Sequence, residues 1–361
     1  MKILRIYTKL PPLPGGMEKH IAELSKEQLK LKHNVSIYFN QGNTVTSNDV
    51  RIMGWMSIGN IKPQFIGFIL FYFAVLVKLK LNGKNFDVLH IHGDYSSLIF
   101  AGFIKKIINA KILALSIHDK LDHKYIKQKI FFRLIKKVNL IFTCGYDTAK
   151  YVESICSKET KVIPRPSGIR DVFFENFDKN FDNSNFTIIT VSNLMEKKNV
   201  KLILKIAQQL NAYNFVVIGD GPCRNSLESD IIKLKINNLK LLGHQNTSKV
   251  VYHLHKADCF LLTSTAEGMP TSILEAMACG LPIVTSDIGG ITNLIKNGKN
   301  GFVVKDYDVN NFSKKIKKIK SDIDLRKDIF ANNKLLANDF SWKQVAKNII
   351  DETTIYLNEK N

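Results

Sequence analysis

The densest run of chemically usable side chains lies between Glu267 and Gly290, reading E-G-M-P-T-S-I-L-E-A-M-A-C-G-L-P-I-V-T-S-D-I-G-G. Two carboxylates, Glu267 and Glu275, frame a Gly268-Met269-Pro270 turn followed by Thr271 and Ser272. A helix opening after such a turn offers unpaired backbone N–H groups and the positive end of its dipole, a combination suited to a phosphate. Acids beside a phosphate would be repelled, so both carboxylates suit neutral hydroxyls instead: a sugar for Glu267 and a ribose for Glu275. The same spacing also fits a first-turn acid and a solvated helix residue, and spacing alone does not choose between these readings.

That chemistry needs elements to hold it. Asp258 to Leu262 and Pro282 to Thr285 are apolar runs with β-prone residues, so the stretch predicts strand, loop, short helix, strand. Pro270, Thr271 and Ser272 supply a proline and hydroxyl caps at the helix start, and Gly280 with Pro282 supplies its stop. The same alternation runs through the whole chain. Ile3 to Tyr7 leads through Pro11-Pro12-Leu13-Pro14-Gly15-Gly16 into a helix with Ile21, Leu24, Leu29 and Leu31 on its apolar side. Gly15 and Gly16 would let the backbone approach a phosphate closely, or would simply turn the chain. Val88 to Gly93 carries His90 and His92, with a weaker claim to line an acceptor side, and Ile112 to Ile117 delivers His118 and Asp119. After a polar, turn-rich stretch the alternation restarts at Phe186 to Val191, followed by Ser192 to Asn199. It continues with Phe215 to Ile218, the Gly219-Asp220-Gly221-Pro222 turn, Leu239 to Gly243 and finally Gly301 to Val304. Such alternation predicts α/β domains with parallel sheets.

At 361 residues the chain is long for one core, which predicts two domains. The 52 Lys plus Arg against 32 Asp plus Glu give +20, which fits an anionic partner or a generally basic surface. Cys144, Cys156, Cys223, Cys259 and Cys279 show no close pairing or metal-ligand spacing, which favours a reduced, cytoplasmic protein. The opening residues form a short strand with no cleavable apolar core, against a signal peptide. Phe65 to Val77 is the most apolar stretch, roughly 13 residues before Lys78 and short of the ~20 that a spanning helix needs. Followed by Lys78, Lys80 and Lys84, it suits a buried helix or a face dipping into a membrane surface. Lys124 to Lys137 mixes basic and apolar residues at helical spacing and adds to the second reading.

Glu267, Gly268, Pro270 and Glu275-Ala276, with Gly280-Leu281-Pro282-Ile283-Val284 and Gly289-Gly290, closely resemble the signature of the retaining glycosyltransferases of family 4. The resemblance extends, more weakly, over nearly the whole chain. It implies the α/β GT-B fold: two doubly wound Rossmann-like domains facing a cleft. The expected domains are 1–170 on the acceptor side and 171–340 on the nucleotide-sugar side, joined by a linker between Ser167 and Asn185. Residues 341–361 form a helix expected to pack back on the first domain. The resemblance also assigns roles. Glu267 would contact the donor sugar and Glu275 the nucleotide ribose, while Gly268, Met269, Pro270, Thr271 and Ser272 would bind the diphosphate. Gly15 and Gly16 fall where the family's first loop lies beside that diphosphate, Gly219 where the second-domain loop lies near the base, and His118 where a histidine meets the donor sugar. Lys198 should neutralise the leaving diphosphate. The family's usual arginine is absent, and Asn193 stands in its place, able to donate a hydrogen bond but bringing no charge. Lys197 or a nearby arginine could substitute, catalysis could be slower, or activity could be lost.

The expectation is therefore a metal-independent, cofactor-free transferase of the hexosyl or N-acetylhexosaminyl type. It would use a UDP- or GDP-linked sugar and a glycan acceptor, lipid-linked, at the cytoplasmic face of the plasma membrane in bacterial surface polysaccharide synthesis. The membrane contact would be peripheral and anionic, with no nucleic acid. Asp306 and Asp308 are read as a chance acid pair. A sugar-nucleotide epimerase of the same architecture and a basic nucleic-acid-binding protein are the alternatives. No stacked-aromatic basic groove supports the latter.

Overall fold

The computed structural model describes residues 1–13, 15–93, 97–118, 129–181 and 185–360. Asp119 and the expected basic segment 124–128 lie outside them. The chain divides into two compact units, Met1–Gly168 with Trp342–Asn361, and Ile169–Ser341.

The first unit holds seven strands: β1 (Lys2–Ile6), β2 (Asn34–Phe39), β3 (Val50–Arg51), β4 (Val88–His92), β5 (Ile112–Ile117), β6 (Leu140–Thr143) and β7 (Lys161–Pro164). All pair in parallel in the order β3-β2-β1-β4-β5-β6-β7. Its helices are α1 (Gly16–Lys30), α2 (Gln64–Asn82), α3 (Leu98–Ile107), α4 (Lys129–Ile135) and α5 (Tyr146–Ile155). Every residue of β4 and β5 is buried, as expected of parallel strands covered on both faces. One sheet face packs against α2, α3 and α4 through Phe71, Val75, Ile104 and Ile135.

The second unit repeats the plan with β8 (Thr187–Val191), β9 (Asn214–Ile218), β10 (Leu239–Gly243), β11 (Cys259–Leu262), β12 (Ile283–Ser286) and β13 (Gly301–Val304), in the order β10-β9-β8-β11-β12-β13. Between and after them lie α6 (Val200–Gln209), α7 (Arg224–Lys233), α8 (Thr247–Lys256), α9 (Thr271–Ala278), α10 (Val309–Ser321) and α11 (Ile323–Ala337). In both sheets the order reverses once, beside β1 in the first and beside β8 in the second. Open α/β sheets bind ligands outside the carboxyl ends of strands at such a point.

The last helix, α12 (Trp342–Lys360), belongs to the first unit. Trp342, Val345, Ala346, Ile349 and Ile350 form one core cluster with Ile3, Leu24, Val88 and Phe142, so α12 covers the second face of the first sheet beside α1.

Two expectations change. Residues 169–181, read as linker, fold with the second unit. The Phe173 side chain is fully buried, Phe177 stacks on His255 with ring centroids 3.7 Å apart, and Lys179 pairs with Asp258 at 2.9 Å. The polar residues in this stretch hid a row of phenylalanines that pin it down. Second, the apolar stretch near residue 70 extends well beyond the expected 13 residues. It forms the 19-residue helix α2, with mean hydropathy 1.8 in its most apolar window, long and apolar enough by length and composition to cross a membrane. Lys78 and Lys80 extend it rather than end it, as straight-chain residues do not disrupt a helix. Only one face of α2, with Phe71, Tyr72, Val75 and Leu79, is packed into the core.

Candidate active site

At the reversal point of the second sheet, β8 and β11 lie side by side and send out neighbouring loops. The loop after β8 carries Asn193, Lys197 and Lys198, and the loop after β11 carries Glu267 and Gly268. The two are stitched together by backbone. Thr265 N donates to Lys197 O at 2.7 Å, and the Thr263 hydroxyl reaches the carbonyls of Lys198 and Asn199 at 3.2 and 3.0 Å. This brings two residues 69 positions apart into contact, and the Lys198 ammonium donates to Glu267 Oε1 in an ion pair. Both side chains are mostly buried, so the pair is shielded from bulk water.

Behind Glu267, Gly289 has φ +57, and a Cβ there would run into the carbonyl oxygens of Glu267 and Gly268. The turn at Gly289-Gly290 thus supports the Glu267 loop from below. Gly219, at φ +138, lies against the Ser192 carbonyl just as closely, leaving no room for any side chain. A hollow of about 740 Å³ opens behind the 193–199 loop, lined by Met195, Lys197, Pro222 and Cys223. Neither Lys198 nor Glu267 lines it.

Helix α9 starts at Thr271, as its signals predict, but the cap differs. Pro270 occupies the N-cap position without a side-chain hydrogen bond, and Thr271 and Ser272 are the first two helical residues. Their hydroxyls are therefore not caps, and the N-cap residue itself spends no side-chain acceptor on the N–H groups of the first turn. At the other end Gly280, at φ +74, closes the helix: Gly280 N reaches Met277 O at 2.8 Å and Leu281 N reaches Ala276 O at 3.0 Å, a Schellman arrangement. Met269 is buried beneath the turn. Glu275 lies one turn inside α9 with Arg170 3.8 Å from its carboxylate, and Arg170 also donates to the Thr247 hydroxyl at 2.7 Å. Glu275 is thus not simply a solvated helix residue.

Asn193 is exposed, as is Lys197. Among the described residues the arginine paired with a predicted donor residue is Arg170, beside Glu275. Arg224 is committed to Asp220 and Glu228. Asp306 and Asp308 serve the start of α10, where Asp308 caps the N–H groups of Asn310 and Asn311 and Asp306 accepts from the Asn311 side chain.

In the first unit, Gly15 is the N-cap of α1 with φ +157, and Gly16 opens the helix with open space around it. The Glu18 carboxylate folds back over Gly15. His118 follows β5, and its Nε2 lies 3.2 Å from His92 Nδ1. His90 and His92, read as candidates for the acceptor side, are instead 2% and 1% exposed and belong to the interior. Composition gave no hint of their partner, Arg5, a β1 residue with no exposed surface at all. Its register opposite His90 was the available signal once β1 and β4 are known neighbours.

Nitrogen atoms of His20, His92 and His118 lie within 4.8 Å of one another, close enough to share a metal ion. The hydrogen bonds oppose this. Arg5 Nε donates to His92 Nε2 at 3.2 Å, which occupies that lone pair and leaves the other nitrogen protonated. His92 therefore has no lone pair for a cation while this bond holds. Burial drives the pKa values of His20, His90 and His92 well below 6.5, and that of His118 down to about 4.

The five cysteines are free thiols. Burial pushes Cys279 up to about 12, so it is an inert packing residue.

Two family models cover most of the chain: Glycosyltransferase Family 4 over residues 14–167 and Glycosyl transferases group 1 over residues 171–335. The alpha-1,4-N-acetyl-D-galactosaminyltransferase of Campylobacter jejuni, named for the acceptor GalNAc-alpha-(1->4)-GalNAc-alpha-(1->3)-diNAcBac-PP-undecaprenol, is 26% identical over 352 residues and 92% of each chain. An uncharacterised glycosyltransferase of Methanocaldococcus jannaschii is 23% identical over 339 residues, again 92% of each chain. Among solved structures, Anabaena HepE in complex with UDP superposes with a TM-score of 0.79 at 17% identity, covering 98% of this chain and 100% of that one. With two sheets of the same reversal, a loop pair after β8 and β11, and both family models matched in order, this chain belongs to the group 1 glycosyltransferases of family 4 and has the GT-B fold.

Proposed function

We propose that this glycosyltransferase moves a hexosyl or N-acetylhexosaminyl unit from a UDP- or GDP-linked donor to a lipid-linked glycan, with retention of anomeric configuration, in bacterial surface polysaccharide assembly. The observation carrying the proposal is the Lys198–Glu267 pair at the reversal point of the second sheet, next to the start of α9. A cation and a carboxylate held together there can exchange each other for a ligand's two ends. Lys198 would leave Glu267 for the departing diphosphate, and Glu267 would accept from a sugar hydroxyl. The first N–H groups of α9, at Thr271 and Ser272, would share the phosphate charge, and Glu275 would take the ribose. On the first domain, Gly15-Gly16 and His118 are the proposed donor contacts. With no metal required, charge on the leaving group is met by Lys198 and backbone dipoles. Same-face attack assisted by the leaving phosphate is favoured over a covalent glycosyl-enzyme.

A ligand that binds the native state stabilises it by mass action, by about 2.7 kcal/mol at a hundred times its Kd, and so raises its melting temperature. One of a panel of UDP-, GDP-, ADP- and TDP-sugars is expected to stabilise the protein, and Glu275→Ala to weaken that effect. If none does while nucleic acid binds with a steep salt dependence, the reading fails.

The acceptor side rests on α2 and α3. Ile66, Leu70, Phe73, Val77 and Leu81 form an exposed stripe at helical spacing, joined by Ile99, Phe103 and Ile107 of α3, with Lys78, Lys80, Lys105 and Lys106 nearby in sequence. An exposed apolar stripe flanked by lysines suits the headgroup boundary of an anionic membrane. A lipid-linked acceptor is also what the Campylobacter relative's name specifies. Co-sedimentation with phosphatidylglycerol vesicles, and not with phosphatidylcholine ones, is expected, and Phe73→Asp with Leu81→Asp should abolish it. Unchanged sedimentation of that variant would remove the membrane from the proposal.

A further inference from the structure

Arg5 is a fully buried cation on β1, where the only other charged side chain, Lys2, is exposed at the strand's start and Ile3, Leu4 and Ile6 are apolar. It has no carboxylate within ion-pair distance among the described residues, and Asp49 acts on it only from further off. Its guanidinium is held by neutral acceptors instead: Ser25 Oγ at 3.1 Å and Gln28 Oε1 at 2.6 Å from α1, His92 Nε2 at 3.2 Å and His90 Nδ1 at 3.5 Å from β4. Burial without an opposite charge lowers its pKa to about 9, which leaves it charged at neutral pH. A buried charge among neutral groups is a poor way to stabilise a core, since an apolar residue there would avoid the desolvation cost. What the cation does supply is direction.

Guanidinium nitrogens only donate. His92 Nε2 must therefore accept from Arg5 Nε, and a neutral imidazole that accepts at one nitrogen carries its proton on the other. That proton, on His92 Nδ1, faces His118 Nε2 at 3.2 Å. His118 Nε2 must accept in turn, so its own proton is on Nδ1. Were His118 to become an imidazolium, an N–H would face the N–H of His92. On the other branch, His90 accepts from Arg5 at Nδ1 and so donates from Nε2 to the Ser116 hydroxyl at 2.8 Å.

We propose that Arg5 is a positioning residue that, through His92, locks His118 as the neutral Nδ1–H tautomer, so that His118 meets its ligand solely as a hydrogen-bond donor. Its Nε2 lone pair is committed and it refuses a second proton, so it acts neither as general base nor as general acid. The ligand atom facing it is an acceptor, such as a sugar hydroxyl or ring oxygen. That last clause rests on the proposed function, whereas the tautomer does not. The other groups that face the His118 ring among the described residues agree with a neutral state: His20 of α1 lies edge-on at 4.3 Å between ring centroids, with His90 and Arg5 beyond His92. The low pKa of His118 follows from its burial.

The test is the imidazole nitrogen spectrum of the 15N-labelled full chain, with His118 assigned by its loss in His118→Asn. His118 should show one neutral tautomer, protonated on Nδ1, from pH 5.5 to 8. In His92→Phe, which keeps a ring but removes the donor, His118 should show mixed tautomers and take up a proton at higher pH. Its kcat/KM should fall about 10- to 100-fold, as for other outer-shell partners, and acquire a new dependence on pH. Arg5→Met should behave alike if it folds, and His92→Phe decides the matter if it does not. A wild-type His118 protonated on Nε2, or charged at pH 6.5, overturns the proposal whatever the enzyme's activity. The predicted tautomer with unaltered kcat/KM in His92→Phe overturns the positioning role. Absence of transfer in the wild type would count against the transferase reading and leave the tautomer result standing.

Discussion

Replacing Lys198 by Ala is expected to lower the rate of sugar transfer by about 10²–10³, the range found when one preorganised donor to a developing negative charge is removed, or about 2.7–4 kcal/mol. The effect should fall on kcat more than on KM. Lys198 is bound to Glu267 before the donor arrives, so ground-state binding has to break that ion pair, and its contact gains full strength only as the diphosphate takes on charge. Lys198→Arg should recover part of the loss, since it keeps the charge. Initial rates at several donor concentrations separate the two constants. A kcat within twofold of wild type would show that Lys198 is no more than a loop-stitching residue. This position carries extra weight here because Asn193, five residues earlier in the same loop, contributes no charge.

The second large effect is on stability. Lys179→Met should destabilise the second domain by about 3–5 kcal/mol, the cost of stranding a buried charge. Lys179 and Asp258 are 8% and 1% exposed in their side chains. Lys179 also donates to the Ala257 carbonyl, while Asp258 Oδ2 accepts from Thr187 N at 2.9 Å at the start of β8. Removing the ammonium leaves the carboxylate buried with one backbone donor for company. Thermal unfolding resolved into the transitions of the two domains should show the second moving alone. A change below about 1 kcal/mol would mean that the pair behaves like a surface ion pair, open to water in solution.

The contrast between these two lysines shows what the sequence could reveal. The strand, loop, helix and strand between Asp258 and Thr285 were legible because apolar runs are punctuated by Gly268, Pro270, Gly280 and Pro282, whose backbone restrictions are local. Lys198 was singled out only through the family resemblance. Its bond to Glu267 was not, since it depends on β8 and β11 being neighbours in a sheet whose order is set by packing. Lys179 was hidden because F-D-K-N-F-D-N has the composition of a linker. Phe173, Phe177 and Phe181 carried the opposite message, and they prevail because rings packed on His255 and Phe330 outweigh local polarity. Arg5 was hidden for a related reason. A charge in a short strand reads as solvent-facing, and only the partners delivered by α1 and β4 allow it inside. The hydroxyls of Thr271 and Ser272 looked like caps, and a one-residue shift in the helix start removed that role.

Helix α12 bears on how the chain is born. The core that joins Ile3, Leu24 and Val88 to Trp342 and Ile349 needs residues from both ends of the sequence. Gly168 itself packs against the Trp342 indole, so the tie is made where the first domain's leading segment stops. At 5–20 residues per second, synthesis takes roughly 10–40 s to travel from Gly168 to the end of α12. Throughout that interval the α12 side of the first sheet emerges from the ribosome uncovered, while the second domain can complete its own core. The domain translated first is thus the one finished last, and it is the natural client for a chaperone during synthesis.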